Sequence, residues 1–378
     1  MNKRDIRFNI LFKQMGTFIL LLTSLLATLV VVHPAPPNVT ASCTITKFNE
    51  NDIQSASKSC GTLTIDGIEV PAGKTLDLTN LRNGAKVVFK GTITWGYKEW
   101  KGPLINVAGT DIQVTGSSGH ILDGRGMLWW DGKGGNDGKI KPKFFSAMLK
   151  NSEIHNLNVK NTPVQAFSIN GCEDLIIQDV TIDNSAGDSG GGRNTDAFDI
   201  AKSSDVTIEH CTIKNQDDCL AVNSGKNIIF QDNKCLGGHG ISIGSVGGRD
   251  DNTVKGVKVS GCTISNSDNG VRIKTVYGAT GSVSDITYQD ITLSNIHKYG
   301  IVIEGDYENG HPTGVPTDGV PIKGLTVKNV HGSVDSGGVN VYILVKGASD
   351  WHFSNIDVKG GSKSKKCTGV PSGAGISC

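Results

Sequence analysis

Charge is scarce in this 378-residue chain, where Asp, Glu, Lys and Arg together make up only 19%. No CxxC pair occurs, and no His/Cys spacing fits a zinc site. The hairpin signal Asn-Gly is also rare, at Asn83, Asn170, Asn269 and Asn309 only. That scarcity argues against a β-sandwich, whose paired strands need such turns. What the chain has instead is glycine, 49 residues of it, among recurring Val, Ile, Thr, Ser and Asn. This mix suits many short strands joined by tight turns, not helices.

The N-terminus reads as a targeting segment rather than as fold. Lys3, Arg4, Arg7 and Lys13 form a basic leader, and Thr17–Val32 then runs uncharged for 16 residues. This is the pattern of a secretory signal peptide, with cleavage after Ala41 fitting Val39 and Ala41 as the small residues of the site. An uncleaved membrane anchor is the competing reading, but so short a stretch barely spans a bilayer. We expect residues 1–41 to be removed and residues 42–378 to form one domain, secreted and extracellular. The mature chain then holds 33 basic and 35 acidic residues, a formal charge of −2. Its overall field offers no attraction to nucleic acid, and any polyanionic partner must meet a local basic cluster. Only one N-glycosylation acceptor stands, Asn38-Val-Thr, and that cleavage would discard it. The nine cysteines all lie beyond the leader, where secretion favours disulfides, and an odd number leaves at least one free.

The body of the chain repeats loosely. Copies begin at Leu175, Val206, Ile228, Val257, Ile286, Leu325 and Trp351, in steps of 31, 22, 29, 29, 39 and 26 residues. Stretches from Ile112 and Ile154 look like earlier copies. Each copy is two short β runs around a polar turn, with no room for a regular helix. A period of this size predicts a parallel β-helix, one coil per copy.

Aligning the coils explains the doublet in "NQDDC", Asn215–Cys219. Asp217, His239 and Asp268 each fall 11 residues after the start of their coil. Residues in the same phase stack at about 4.8 Å, so these three should form a ladder. Asp196 lies 21 residues before Asp217 and should join its foot. Gly240, Gly270 and Gly300 follow where the backbone should turn. At a turn, Asp217 and Asp218 need not diverge as strand neighbours do.

Three crowded carboxylates cannot all ionise cheaply, so one must hold its proton more tightly. A protonated carboxyl beside ionised ones is what glycoside hydrolysis needs: one acid for the leaving oxygen, another to activate water. Arg272 and Lys274 alternate along one strand face and could hold an anionic sugar. Each feature alone has a plainer reading: an Asx turn, a surface histidine, a solvated strand face, or a calcium site for the carboxylates. Their occurrence in phase on consecutive coils favours the catalytic one.

The motifs "NTD" (Asn194–Asp196), "NQDDC", "GGHGISIGS" (Gly237–Ser245) and "RIK" (Arg272–Lys274) resemble those of the polygalacturonases of glycoside hydrolase family 28. The resemblance runs from about Ser42 to Cys378. It implies an all-β, single-domain, right-handed parallel β-helix. It implies metal-free, cofactor-free, inverting, endo-acting hydrolysis of the α-1,4 linkages of pectin or polygalacturonate. Asp217 then resembles the general acid, Asp196 and Asp218 the residues that hold and activate water, and His239 the supporter of the acid's protonation. Arg272, Lys274, Tyr307 in "GDYENG", Asn194, Gln216 and Asp268 resemble substrate-binding positions. A protonated Asp217 would bring an acidic pH optimum. Cys43–Cys60, Cys219–Cys235 and Cys367–Cys378 match family disulfides, leaving Cys172, Cys211 and Cys262. The last two share a phase and should pack inside the solenoid. A monomer is expected, with a plant polygalacturonase-inhibiting protein as a macromolecular partner. A lyase, an exo-acting or rhamnogalacturonan hydrolase of the same family, and a catalytically inactive relative that binds pectin or an inhibitor protein are the alternatives.

Overall fold

A computed structural model describes residues 42–378. The expected signal peptide and its cleavage site lie outside the described residues. From Ser42 onward the chain is a stack of β coils, each strand pairing in parallel with its equivalents in the coils before and after. Leu175, Val206, Ile228, Val257, Ile286, Leu325 and Trp351 are in strict register through six successive pairings. The repeat starts read from the sequence are therefore one physical row. Ile154 is not in that row: it pairs with Ile177, two residues further on. Two coils that the repeat did not reveal precede Ile112, with strands at Thr62–Asp66 and Lys86–Lys90.

Alternation along each strand decides which side chains fill the solenoid. Val206 and Ile208 point inward and are fully buried, while Thr207 between them is half-buried. Stacking equal positions brings like next to like. Phe145, Phe167 and Phe198 form an internal column with ring centroids 5.0 and 5.3 Å apart. The turns are built by residues that accept a left-handed backbone. One column of corners holds Asn156, Asp179, His210, Asp232, Asp290, Asn329 and Asn355, all at positive φ. Asn329 and Asn355 also bond to the corner below, at 2.7 and 2.9 Å.

One regular helix, Glu50–Ser59, was not expected from the repeat. It begins at Asn49, whose side chain accepts from Asn51 and Asp52 N–H, and it carries Glu50 and Asp52 in its first turn. Ile53 and Ala56 are buried. Gln54 donates to the Asp77 carbonyl and the Arg82 N–H to the Ser57 carbonyl, so the helix is tied to the first coils. A solenoid needs such a cap over its terminal coil. Cys43–Cys60 ties the first strand to the end of this helix.

Of the three glycines expected at turns, only Gly240 has a positive φ, +87°. Gly270 and Gly300 lie within the strands Asn269–Val276 and Tyr299–Tyr307. A Cβ there would come within 2.4 Å of the Gly300 carbonyl oxygen and 2.5 Å of a Val358 methyl, respectively. Close approach, not turning, explains them.

Candidate active site

The candidate residues converge on an open cleft of about 960 Å³ along one face of the coils. The ladder forms and is longer than expected. His239 N–H donates to the Asp217 carbonyl, Asp268 N–H to Gly238, and Lys298 N–H to Asp268. Side chains follow the same path. His239 Nδ1 is 2.9 Å from Asp217 Oδ1, its Nε2 is 3.6 Å from Asp268 Oδ2, and Lys298 Nζ is 2.7 Å from Asp268. Charge therefore alternates up the face: Asp217, His239, Asp268, Lys298. Asp196 sits level with Asp218 rather than with Asp217, because Phe198 pairs with Leu220 and Ala197 N–H bonds the Asp218 carbonyl.

The three carboxylates have different surroundings. Asp217 accepts from His239 Nδ1, from Asp218 N–H at 2.8 Å and from Asn194 Nδ2 at 2.9 Å. Burial pushes its pKa up, but the His239 hydrogen bond and charge overcome it and hold the carboxyl at about 2. Asp218 is 1% exposed and is bound by Lys274 Nζ at 2.5 Å and Ser242 Oγ at 2.7 Å, with Arg272 at 3.9 Å. Asp196 has no such partners. Burial first, and then the Asp217 charge, raise its pKa well above the carboxylate range. One carboxyl does hold its proton tightly, as crowding requires, but it is Asp196 and not Asp217. Donors gather on Asp217 and cations on Asp218, and the more distant Lys274 charge only partly offsets the burial of Asp196. His239 is raised in turn: burial opposes its charge, but the Asp217 bond outweighs it.

Arg272 and Lys274 both reach the cleft from the strand Asn269–Val276, beside the Tyr307 ring, at 5.8 and 5.4 Å from its centroid. They are not equivalent. Lys274 is committed to Asp218, whereas the buried Nε of Arg272 has no hydrogen-bond partner among the described residues. Asp268 lines the cleft, held by Lys298. Gln216 is not brought into it. Its amide nitrogen donates to the Asn184 carbonyl and to Asp188, and its oxygen accepts from Thr195 Oγ1. Asn194 lines the cleft, but its amide is spent on Asp217 and on Gly135 N–H.

Asp199 was missed. It faces the cleft from the strand Phe198–Ala201, and burial raises its pKa to about 7 against the opposing charge of Lys143. The signal was present in "NTDAFDI", where Phe198 and Ile200 face inward and Asp199 must face out. Lys298 was also missed, since it lies outside the quoted motifs.

Asp217, Asp218 and His239 could each offer a ligand atom within 4.8 Å of the others, a spacing that a metal ion could use. The donor set argues against one. Lys274 and Arg272 already compensate Asp218, and the Asp217 bond raises the pKa of His239 against burial, which favours its charged, non-ligating form.

The disulfides Cys43–Cys60, Cys219–Cys235 and Cys367–Cys378 are all present. Cys172, Cys211 and Cys262 are free and buried.

A parallel β-helix with crowded carboxylates and fixed cations along one open cleft has the outline of an enzyme acting on an anionic polysaccharide. Within that class the chain belongs to the glycosyl hydrolases family 28, whose family model matches residues 60–378, and it is a glycoside hydrolase. It is 60% identical to a polygalacturonase of Cochliobolus carbonum, over 93% of this chain and 98% of that one. It is 58% identical to endopolygalacturonase 1 of Colletotrichum lindemuthianum, over 93% and 97%. Among solved structures it is similar to endopolygalacturonase I from Stereum purpureum complexed with two galacturonate. That likeness has a TM-score of 0.77 at 37% identity and covers 84% of this chain and 95% of the other.

Proposed function

We propose that this chain is an endo-acting polygalacturonase, hydrolysing the α-1,4-galacturonosyl linkages of pectin and polygalacturonate by inverting acid–base chemistry. The observation that carries the reading is the convergence of Asp196, Asp217 and Asp218 with Arg272 on one face of consecutive coils. Relatives named polygalacturonase or endopolygalacturonase, matching at 53–61% identity, support it.

Asp217 is the acid that protonates the glycosidic oxygen. In the free cleft its proton is stored on His239, 2.9 Å away, and passes to Asp217 before donation. Asp196 and Asp218 hold the attacking water. Lys274 Nζ, 2.5 Å from Asp218 Oδ2, fixes that carboxylate in place for the task. Arg272, with donors to spare, grips a galacturonate carboxylate. Tyr307 packs beside it. The enzyme is a secreted, extracellular monomer after loss of residues 1–41. Its disulfides support that compartment, and no described helix is long and apolar enough to cross a membrane. A plant polygalacturonase-inhibiting protein is its proposed macromolecular partner.

The test is purified protein on polygalacturonic acid with EDTA present, followed by reducing ends and by ultraviolet absorbance of unsaturated product. New reducing ends without absorbance, lost in Asp217→Asn, support hydrolysis through Asp217. Unsaturated product would mean a lyase instead. No product from folded protein would leave a pectin-binding relative. The anomer first released, read by proton NMR, decides inversion. Rapid loss of viscosity at few cleavages decides endo action.

A further inference from the structure

We propose that the loop 131–141, locked by the ion pair of Asp131 with the buried Lys141, is a positioning element that orients the Asn194 amide so that it donates to Asp217. The inference rests on the reading of Asp217 as the acid.

The loop is closed at its base by one carboxylate. Asp131 accepts from Lys133 N–H at 3.0 Å and from Lys139 N–H at 2.8 Å, and its Oδ1 is 2.8 Å from Lys141 Nζ. The Lys141 side chain is 1% exposed and also donates to the carbonyls of Gly134 and Lys139, at 2.7 and 3.0 Å. All three ammonium donors are thus used inside the loop. A buried lysine in a surface loop is costly unless each donor is satisfied. Here the satisfied lysine fixes where residues 134–135 lie.

That position matters because Gly135 N–H donates to Asn194 Oδ1 at 3.0 Å. An amide whose oxygen faces an N–H must turn its nitrogen the other way, and Asn194 Nδ2 then meets Asp217 Oδ2 at 2.9 Å. The fit between loop and amide is close: a Cβ on Gly134 would come within 2.1 Å of Asn194 Oδ1. Asn194 itself is held at φ +50°, a conformation that asparagine tolerates. Without the Gly135 donor the amide is free to flip, and a carbonyl oxygen would then face the Asp217 carboxylate.

Asp217 and His239 share the catalytic proton, so loss of a donor to Asp217 raises the affinity of the pair for that proton and moves the high-pH limb of activity, where the pair loses it, upward. Other charged groups share the cleft with Asp217: Asp196, Asp199, Asp218, His239, Arg272 and Lys274 from the coils, and Asp137 and Lys139 from the loop. The experiment must separate the amide from these charges.

We would make Lys141→Met and Gly134→Ala, each with and without Asn194→Ala, and measure kcat and KM against pH on oligogalacturonate. The Gly134 substitution carries no charge change and lies outside the coils, so it serves if Lys141→Met does not fold. The expected result is that each loop variant lowers kcat about tenfold with little change in KM and shifts the high-pH limb upward. In the Asn194→Ala background neither adds a further effect. Equal fold-changes in both backgrounds, or a change confined to KM, would overturn the proposal and mean a charge or binding role. Activity surviving Asp217→Asn would sink the reading of the acid instead, a separate result.

Discussion

Lys274 and Asp218 form the most buried ion pair among the described residues, Nζ 2.5 Å from Oδ2 with side chains 8% and 1% exposed. Removing one partner leaves the other charge buried and unpaired. Lys274→Met should cost about 3–5 kcal/mol of stability, measured by urea unfolding. It should also remove most activity, because Asp218 would lose the contact that fixes its carboxylate in the cleft. Adding Asp218→Asn to that variant should restore much of the stability and none of the activity. Equal stability of the wild type and Lys274→Met would show that the pair is solvated in solution.

The cleft predicts that stability falls as pH rises. Asp196, Asp199 (about 7) and His239 all hold protons more tightly when folded than their ordinary values allow. Each stabilises the fold below its unfolded pKa, roughly 3.9 for the carboxyls and 6.5 for histidine, and loses that contribution as pH climbs through the folded value. Asp217, held at about 2, works in the opposite sense, but its contribution is lost only below about 4. The urea midpoint should therefore be higher near pH 5 than near pH 8. Asp199→Asn should flatten the slope. A midpoint that rises between those two pH values would contradict the assignment.

The coil row from Leu175 to Trp351 was legible because stacking in register forces one residue type to recur in one phase. The same phase puts Asp217, His239 and Asp268 on a common face. What sequence spacing could not carry was contact between loops. Asn194 and Gly135 are 59 residues apart and meet because the ion pair of Asp131 with the buried Lys141 shapes the loop between them. Gln216 shows the converse. It sits beside the doublet in sequence, yet its amide turns to Asn184 and Asp188, and chain proximity alone does not aim a side chain into a cleft. The helix Glu50–Ser59 escaped because it caps the repeat and takes no part in it.

The bridge Cys219–Cys235 begins at the residue after Asp218 and spans 16 positions. Closing a loop of that length contributes about 3 kcal/mol by restricting the unfolded chain. Replacing both cysteines by serine should lower stability by that order. It should also lower kcat, because Asp217 and Asp218 lose their anchor. The same change at Cys43–Cys60, which ties the helix cap at the far end, should lower stability and leave kcat nearly intact. The comparison is read by paired unfolding curves and initial rates, and equal loss of kcat in both would remove the anchoring argument.

Cys172, Cys211 and Cys262 are buried, and desolvation pushes their thiols up to about 11, 12 and 12. Reactivity belongs to the thiolate and needs access, and both are denied here. Cys211 and Cys262 instead pack as small apolar groups inside the coils, each with its sulfur directed at a backbone carbonyl two residues earlier. Native protein should therefore give no reaction with Ellman's reagent, while unfolding in guanidinium without reductant should release three thiols per chain. A thiol titrating in the native state would place one of the three at the surface. Fewer than three after unfolding would mean that they pair with one another and that the disulfide set is larger than the three bridges seen.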